Sequence, residues 1–452
     1  MVEQTPLSNW ARQLSSGLDL APLEGAGQGD YLDLFNRIAA EHQTRVPRNR
    51  VECQAPPPAG PAPHVLLDHP VSGDILYGYG DPAVLWVPEE AAWYLFVTSN
   101  DAPGSFPILR SPDLRRWTMT GFAFPPGAKP AWCADGPGTS DFWAPELHRV
   151  GDEYVLCFSA RAHDGGLAIG IARAASPAGP FIAEPEPFLT GGVIDAHLFV
   201  DELGPILYWK EDSNGIWPRL LVRMIARDPS LCERLFDDPA DQRTAAVVGA
   251  LWAWGERLLP MQQFFLLQPL IEAVVDHFTV VRERVEALGT ADGALVLQAM
   301  RTPIHAQRLS PDCGHLIGDP HIVLVNDLVW EGHLIEGPWV TRADGHFYLF
   351  YSGNDFSTQE YGIGVAVGDT PFGPFRKMAQ PLLGSTSDWS GPGHPSVAPG
   401  PDGRSWLFYH AFFPGRAGYK AFRALLAAPL RFTADGVEIA MSGDASGPAA
   451  GE

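Results

Sequence analysis

The sequence lacks the features that mark nucleic-acid-binding and membrane-spanning proteins. Its 31 Lys and Arg residues stand against 53 Asp and Glu residues, so the formal net charge is −22. A field of that sign repels nucleic acid and anionic membrane surfaces, and we expect neither as a partner. No apolar run approaches the ~20 residues that a membrane-spanning helix needs. These absences favour a globular protein whose acidic surface keeps it in solution.

Cysteine is scarce as well, with five scattered residues among 452. No pair has the spacing of a metal site, and an odd number favours reduced thiols over a disulfide framework. The first 20 residues lack a basic segment followed by an apolar one. We therefore expect no secretory signal and a cytoplasmic location.

Glycine, proline and aromatic residues are plentiful, with 47 Gly, 43 Pro, 14 Trp, 24 Phe and 11 Tyr. Five segments share one layout, in which a polar residue near a Pro or small residue precedes a short apolar strand, a turn and an aromatic strand. The segments are 81–99, 143–160, 194–212, 336–354 and 393–411. Such repeats bury their faces by packing around an axis, so we predict an all-β fold, a five-bladed β-propeller. The polar residues that open the repeats should face one central pocket.

The repeats also set the domain boundaries. We predict a partly helical N-terminal extension with a Pro-rich linker over 1–64, the propeller over 65–440 and a disordered tail over 441–452. The long interval after the third repeat, residues 217–300, has apolar residues at helical spacing. We predict a helical subdomain inserted in blade 3, including one helix with Pro269 in its first turn and Gly289 at its C-cap. Its role is open between a lid, a contact between copies in a homo-oligomer and an extra subsite.

Five short motifs in chain order carry a more specific resemblance. They are YGDPAV, WAPE, IDAHLFVDELGPILYW, EGPWV and GPGHPSV. Together they resemble glycoside hydrolase family 43, over about residues 74 to 435 apart from the insertion. The resemblance implies an inverting hydrolase acting on arabinose- or xylose-containing saccharides. By motif it implies Asp81 as general base, Asp195 as the residue that tunes and orients the acid, and Glu336 as general acid.

The chemistry of inversion is compatible with these three residues. One protonated carboxyl must give its proton to the leaving oxygen, and one carboxylate must activate water on the opposite face of the sugar. A third carboxylate near Glu336 would raise the pKa of that residue by like-charge repulsion, and Asp195 is placed for this. Other acidic residues lie near the motifs without an assigned role: Asp141, Glu146, Asp201, Asp212 and Glu331.

Binding of the sugar calls for aromatic faces and hydrogen-bonding groups. Trp143, beside Phe142, is the best candidate platform; Trp339 is a lesser one, and Arg161 could reach substrate hydroxyls. Each tryptophan could equally fill a wedge between blades. His394 opens the fifth repeat and should point inward. The family resemblance implies a structural calcium ion beside it in the central channel, with mostly water ligands because calcium prefers oxygen.

The predicted function is thus an inverting glycoside hydrolase that removes terminal arabinofuranosyl or xylosyl residues from short oligosaccharides. Two alternatives stay open. One is a retaining, fructosidase-like propeller glycosidase, in which Asp81 would be the nucleophile. The other is a carbohydrate-binding propeller without turnover.

Overall fold

The computed structural model describes residues 63–99, 104–135, 141–213, 215–257, 260–417 and 421–440. The predicted N-terminal extension and C-terminal tail lie almost wholly outside these residues. Two compact units are distinguished, a larger one built of strands and a smaller one, within 213–301, built of helices. Within the described residues, none of the helices has the length and apolar character to span a bilayer.

The larger unit consists of five antiparallel sheets. Blade 1 contains β2 (Ala83–Val87), β3 (Ala92–Phe96), β4 (Ser105–Ser111) and β5 (Thr118–Phe124). Blade 2 contains β6 (Phe142–Val150), β7 (Glu153–Arg161), β8 (Leu167–Ala174) and β9 (Ile182–Ala183). Blade 3 contains β10 (Val193–Asp201), β11 (Gly204–Glu211), β12 (Pro303–Leu309) and β13 (Leu316–Val325). Blade 4 contains β14 (Ile335–Ala343), β15 (His346–Gly353), β16 (Gly362–Gly368) and β17 (Arg376–Lys377). Blade 5 contains β18 (Ser390–Pro399), β19 (Ser405–Phe412), β20 (Arg423–Thr433) and β21 (Gly436–Ile439).

The blades close into a ring. The first strand of each blade contacts the first strands of the blades before and after it, and β18 of blade 5 contacts β2 of blade 1. A strand that precedes blade 1, β1 (His64–Leu67), pairs with β20 and so joins the start of the ring to its end. Five apolar clusters each join two neighbouring blades. The predicted five-bladed propeller is confirmed.

The same three-residue motif lies at or near the start of the first strand of every blade. A residue is followed by one with left-handed backbone and then by Pro or Ala, giving the triplets GDP, WAP, IDA, EGP and GHP. The middle residue has φ between 46° and 57° in all five. Strand pairing shifts register across four of the triplets, as in a β-bulge, where proline is tolerated because no ladder hydrogen bond is lost. In these four blades the bulge re-aims the side chains of the triplet, so polar residues such as Asp195 and Glu336 can stand at the start of an apolar strand.

The smaller unit occupies the chain between β11 and β12. Its described helices are α1 (Ile216–Arg227), α2 (Leu231–Leu235), α3 (Pro239–Gly255), α4 (Pro260–Val275), α5 (Phe278–Ala287) and α6 (Ala291–Ala299). They surround an apolar cluster of their own. The single helix predicted after Pro269 is wrong. Pro269 lies inside α4, and the helix is interrupted at Asp276–His277 before α5 begins. Gly289, with φ +63°, follows the end of α5 as predicted.

Candidate active site

Asp81 lies just before the first strand of blade 1, and side chains of blades 1 and 5 surround its carboxylate. Arg423 Nη1 is 3.0 Å from Asp81 Oδ1, and Thr98 donates its hydroxyl to Oδ2. His394 Nδ1 and His410 Nδ1 each lie 3.5 Å from Oδ1. The Asp81 side chain is 15% exposed. The carboxylate is therefore clamped yet still reachable by a small molecule.

The charges around Asp81 keep it ionised. Burial by itself would raise its pKa, but the charge of Arg423, followed by His394 and His410, lowers the pKa well below the ordinary value. The hydroxyl of Thr98 adds to this effect by hydrogen bonding to the charged form. An ionised carboxylate is the form that can accept a proton from water.

Asp195 and Glu336 are brought together across blades 3 and 4. Asp195 Oδ2 accepts the backbone N–H of Gly337, the residue after Glu336, at 2.9 Å. Glu336 Oε1 accepts the hydroxyl of Tyr361 at 2.8 Å, and its Oε2 lies 3.6 Å from Lys210 Nζ. Both carboxyl residues are only 7% exposed.

Both carboxyl groups bind protons more tightly than usual. Burial raises the pKa of Asp195 to about 7, although Lys210 and the Gly337 N–H lower it. Burial also raises the pKa of Glu336; Lys210 opposes this rise, and the charge of Asp195 adds to it. The sequence-based explanation by repulsion from Asp195 is thus corrected, because burial contributes more than Asp195 does.

The sequence model of glycosyl hydrolases family 43 matches residues 75–225 and 293–438, more than half of the chain. The chain belongs to glycosyl hydrolases family 43. The resemblance read from the five motifs is confirmed, and the family supports the prediction of a glycoside hydrolase.

Similar proteins of known description point to the same family. The chain is 26% identical to Xylosidase/arabinosidase 43A of Humicola insolens over 276 residues, 60% of this chain and 66% of the relative. It is 24% identical to a Beta-xylosidase of Xylanibacter ruminicola over 300 residues, 65% of this chain and 72% of that one. The chain therefore spans about two thirds of each relative. A solved thermostable family-43 glycoside hydrolase is 27% identical with a TM-score of 0.57, covering 82% of this chain and 95% of the other.

His394 lies at the centre of this family 43 site, but its surroundings do not form a calcium site by themselves. The side chain offers a nitrogen, whereas calcium binds oxygen. The nearest carboxylate oxygen, Asp81 Oδ1, already contacts Arg423. The calcium ion stays a prediction, in which water would supply most of the ligands.

A second polar cluster joins the inner strands of blades 2, 3 and 4. Glu146 Oε2 lies 2.6 Å from His197 Nδ1 and 3.1 Å from His148 Nε2, and these donor atoms all lie within 4.8 Å of one another. The N–H of Val340 donates to His197 Nε2 at 2.9 Å, so His197 carries its ring proton on Nδ1 and donates it to Glu146.

Burial keeps this cluster uncharged. It lowers the pKa of His148 to about 3 and that of His197 well below the ordinary value. Burial, followed by the charge of Asp195, raises the pKa of Glu146. Burial therefore favours the neutral form of all three hydrogen-bonded groups. Glu146 thus pairs with the two histidines within the ring of blades.

Two of the predicted sugar-binding residues are corrected by their burial. Phe142 is 0% exposed and packs against Phe106, Phe124 and Phe158 between blades 1 and 2. Trp339 is 6% exposed, with its ring 4.6 Å from that of His197. Both aromatic side chains are packed inside the propeller, so neither offers a free face to a sugar.

Trp143 and Arg161 stay candidates for substrate binding. Trp143 is half-buried and occupies in blade 2 the motif position that Glu336 occupies in blade 4. The Arg161 guanidinium lies 5.9 Å from the Trp143 ring and is held by Asp141 Oδ2 at 2.5 Å. The salt bridge orients Arg161 beside the platform.

Several residues of the site escaped the sequence analysis. Arg423, which contacts Asp81, lies far from it in the sequence. Thr98, the other hydrogen-bond partner of Asp81, and Tyr361 lie outside the quoted motifs. Lys210 left a signal, because a lysine inside the aromatic strand ILYWKE is unusual for a buried position. That signal could have been read as a buried charge requiring a partner.

Proposed function

We propose that the protein is an inverting glycoside hydrolase that removes terminal arabinofuranosyl or xylosyl residues from oligosaccharides. The observation that carries the proposal is a difference in surroundings between two carboxyl groups of one site: Asp81 lies 3.0 Å from the Arg423 guanidinium, whereas Glu336 is only 7% exposed and accepts the hydroxyl of Tyr361. Asp81 is ionised by Arg423, whereas burial favours the protonated form of Glu336. Pairs of carboxyl groups with pKa values pushed apart supply a base and an acid.

The arrangement supports a single displacement by water. Asp81 accepts a proton from the water as its oxygen bonds to the anomeric carbon. Glu336 gives its proton to the glycosidic oxygen as that bond breaks, so the sugar leaves with inverted configuration. Tyr361 and the Asp195–Gly337 contact orient the acid, and Trp143 is the proposed platform for the sugar face.

The names of the relatives support the choice of sugar. Xylosidase/arabinosidase 43A and the Beta-xylosidase are described by their action on xylosyl and arabinosyl residues. The first test is a panel of 4-nitrophenyl glycosides, including β-xyloside and α-arabinofuranoside, with NMR of the first-formed anomer. An inverted anomer is expected; a retained anomer would favour the fructosidase-like alternative. Absence of turnover with saccharide binding would favour the non-catalytic one.

The second test replaces the acid and compares leaving groups. Glu336→Gln should lower kcat/KM on xylobiose by ~10²–10⁴-fold, the usual contribution of general acid catalysis. The loss on a 4-nitrophenyl glycoside should be much smaller, because nitrophenolate leaves without a proton. Exposed Glu186, changed to Gln, is the matched control and should behave as wild type. Equal losses on both substrates would remove Glu336 from the role of acid.

A further inference from the structure

A repeated hydrogen bond links four of the five blades to the next one around the ring. The backbone N–H of the middle motif residue donates to a side chain at the end of the second strand of the preceding blade. This joins Ala144 to Thr98 (2.9 Å), Asp195 to Ser159 (3.0 Å), His394 to Ser352 (2.7 Å) and Asp81 to His410 (3.1 Å). The side chain at this strand position accepts the hydrogen bond in each of these four cases.

Blade 3 departs from this rule. Lys210 holds in β11 the strand position that Ser159 holds in β7 and Ser352 in β15. A lysine has no acceptor, and the N–H of Gly337 donates instead to Asp195 Oδ2. Since serine satisfies the backbone in the other blades, the architecture of the ring does not by itself require a lysine here.

The position of Lys210 brings a buried cation to the acidic residues. Its side chain is 0% exposed, with Nζ 3.6 Å from Glu336 Oε2. It lies in the strand beside the bulge that carries Asp195, and its charge lowers the pKa of both carboxyl groups. The other titratable groups around the pair are Asp81, Glu146, Asp212, His333, Tyr361 and His394.

The charges of the site can be counted. Arg423, Lys210, Asp81, Asp195 and Glu336 comprise two cations and the three carboxyl groups of the proposed reaction, and a net charge is costly to bury. The count is neutral when two carboxyl groups are ionised and one is protonated. Asp81, paired with Arg423, accounts for one negative charge, which leaves one for Asp195 and Glu336 together.

We propose that Lys210 is a positioning residue that holds one negative charge on the Asp195–Glu336 pair, so that the pair keeps a single proton for the leaving group. The inference rests on the proposed function of the site. Removing the ammonium favours uptake of a second proton, and the pair then ionises only at higher pH. Charges this close in a protein interior shift each other's titration by ~1 pH unit or more.

The test compares kcat/KM for xylobiose from pH 4 to 9 in four proteins. Lys210→Met keeps the volume without the charge, Lys210→Ser installs the residue type of blades 2 and 4, and Lys210→Arg keeps the charge. We expect both limbs of the kcat/KM profile to shift to higher pH by ~1 unit or more in the two neutral variants. In Lys210→Arg the limbs should keep their wild-type positions. Limbs that coincide with wild type in the neutral variants would overturn the proposal.

Thermal unfolding gives a readout that does not need turnover. At lower pH the pair takes up protons and depends less on the ammonium, so at pH 5 Lys210→Met should lie closest to wild type in stability. As pH rises to 8 the pair ionises, and the variant should become progressively less stable than wild type. A pH-independent difference in Tm, or neutral variants that fail to fold even at pH 5, would contradict the proposal. A wild type without turnover would reject the proposed function, while this comparison would still decide the role of Lys210.

Discussion

Gly80 controls how Arg423 reaches Asp81, and adding a single methyl group there should disable the base. A Cβ on Gly80 would lie 1.8 Å from Arg423 Cζ, whereas ordinary contact begins near 3.4 Å. The guanidinium must therefore move by about 1.6 Å, the difference between these distances. A shift of that size breaks the 3.0 Å bond to Asp81 Oδ1. Misplacement of a catalytic group by ~1 Å can cost ~10²-fold in rate.

We accordingly expect Gly80→Ala to lower kcat by ~10²-fold on the favoured 4-nitrophenyl glycoside. The fold should survive, because the guanidinium end of an arginine is flexible and water can reach Asp81. We expect a loss of ~1–3 kcal/mol in the free energy of unfolding, measured with denaturant. Gly73→Ala is the matched control, since a Cβ there meets nothing within 4 Å. A Gly80→Ala enzyme within two-fold of wild type would refute the assignment of Arg423 as the clamp of Asp81.

Two further predictions concern stability. Glu146→Gln should change the free energy of unfolding by less than ~1 kcal/mol, because burial favours the neutral carboxyl. Glu146→Ala should cost ~2–3 kcal/mol by leaving His197 Nδ1 without its acceptor. Denaturant unfolding of both variants checks this, and a costly Gln variant would show that Glu146 is ionised. The pKa of Asp195 is raised from 3.8 to about 7 in the folded protein, so its stabilising contribution is present below pH ~4 and is lost as pH rises through 7. The loss is on the order of 4 kcal/mol, and Asp195→Asn should flatten that part of the pH–stability curve measured by unfolding; an unchanged slope would contradict the raised pKa.

The wrong prediction for Phe142 has a local cause. Phe142 and Trp143 are neighbours in β6, and neighbouring side chains in a strand point to opposite faces. The sequence shows that the two differ in direction but not which of them faces the centre. Only the position of blade 1, whose Phe106 and Phe124 receive Phe142, decides that Phe142 is buried.

Local sequence was sufficient to find the ring and the ends of its inner strands. The triplets at Asp81, Asp195 and Glu336 recur because every blade has a residue with left-handed backbone at this point, and a repeated local geometry leaves a repeated local pattern. The partners of those carboxyl groups follow no such rule. Arg423 contacts Asp81 from the far end of the chain, and Lys210 of blade 3 contacts Glu336 of the neighbouring blade 4. Whether a carboxyl group is an acid or a base depends on burial and on charges within a few ångströms, and those distances exist only after the ring has closed.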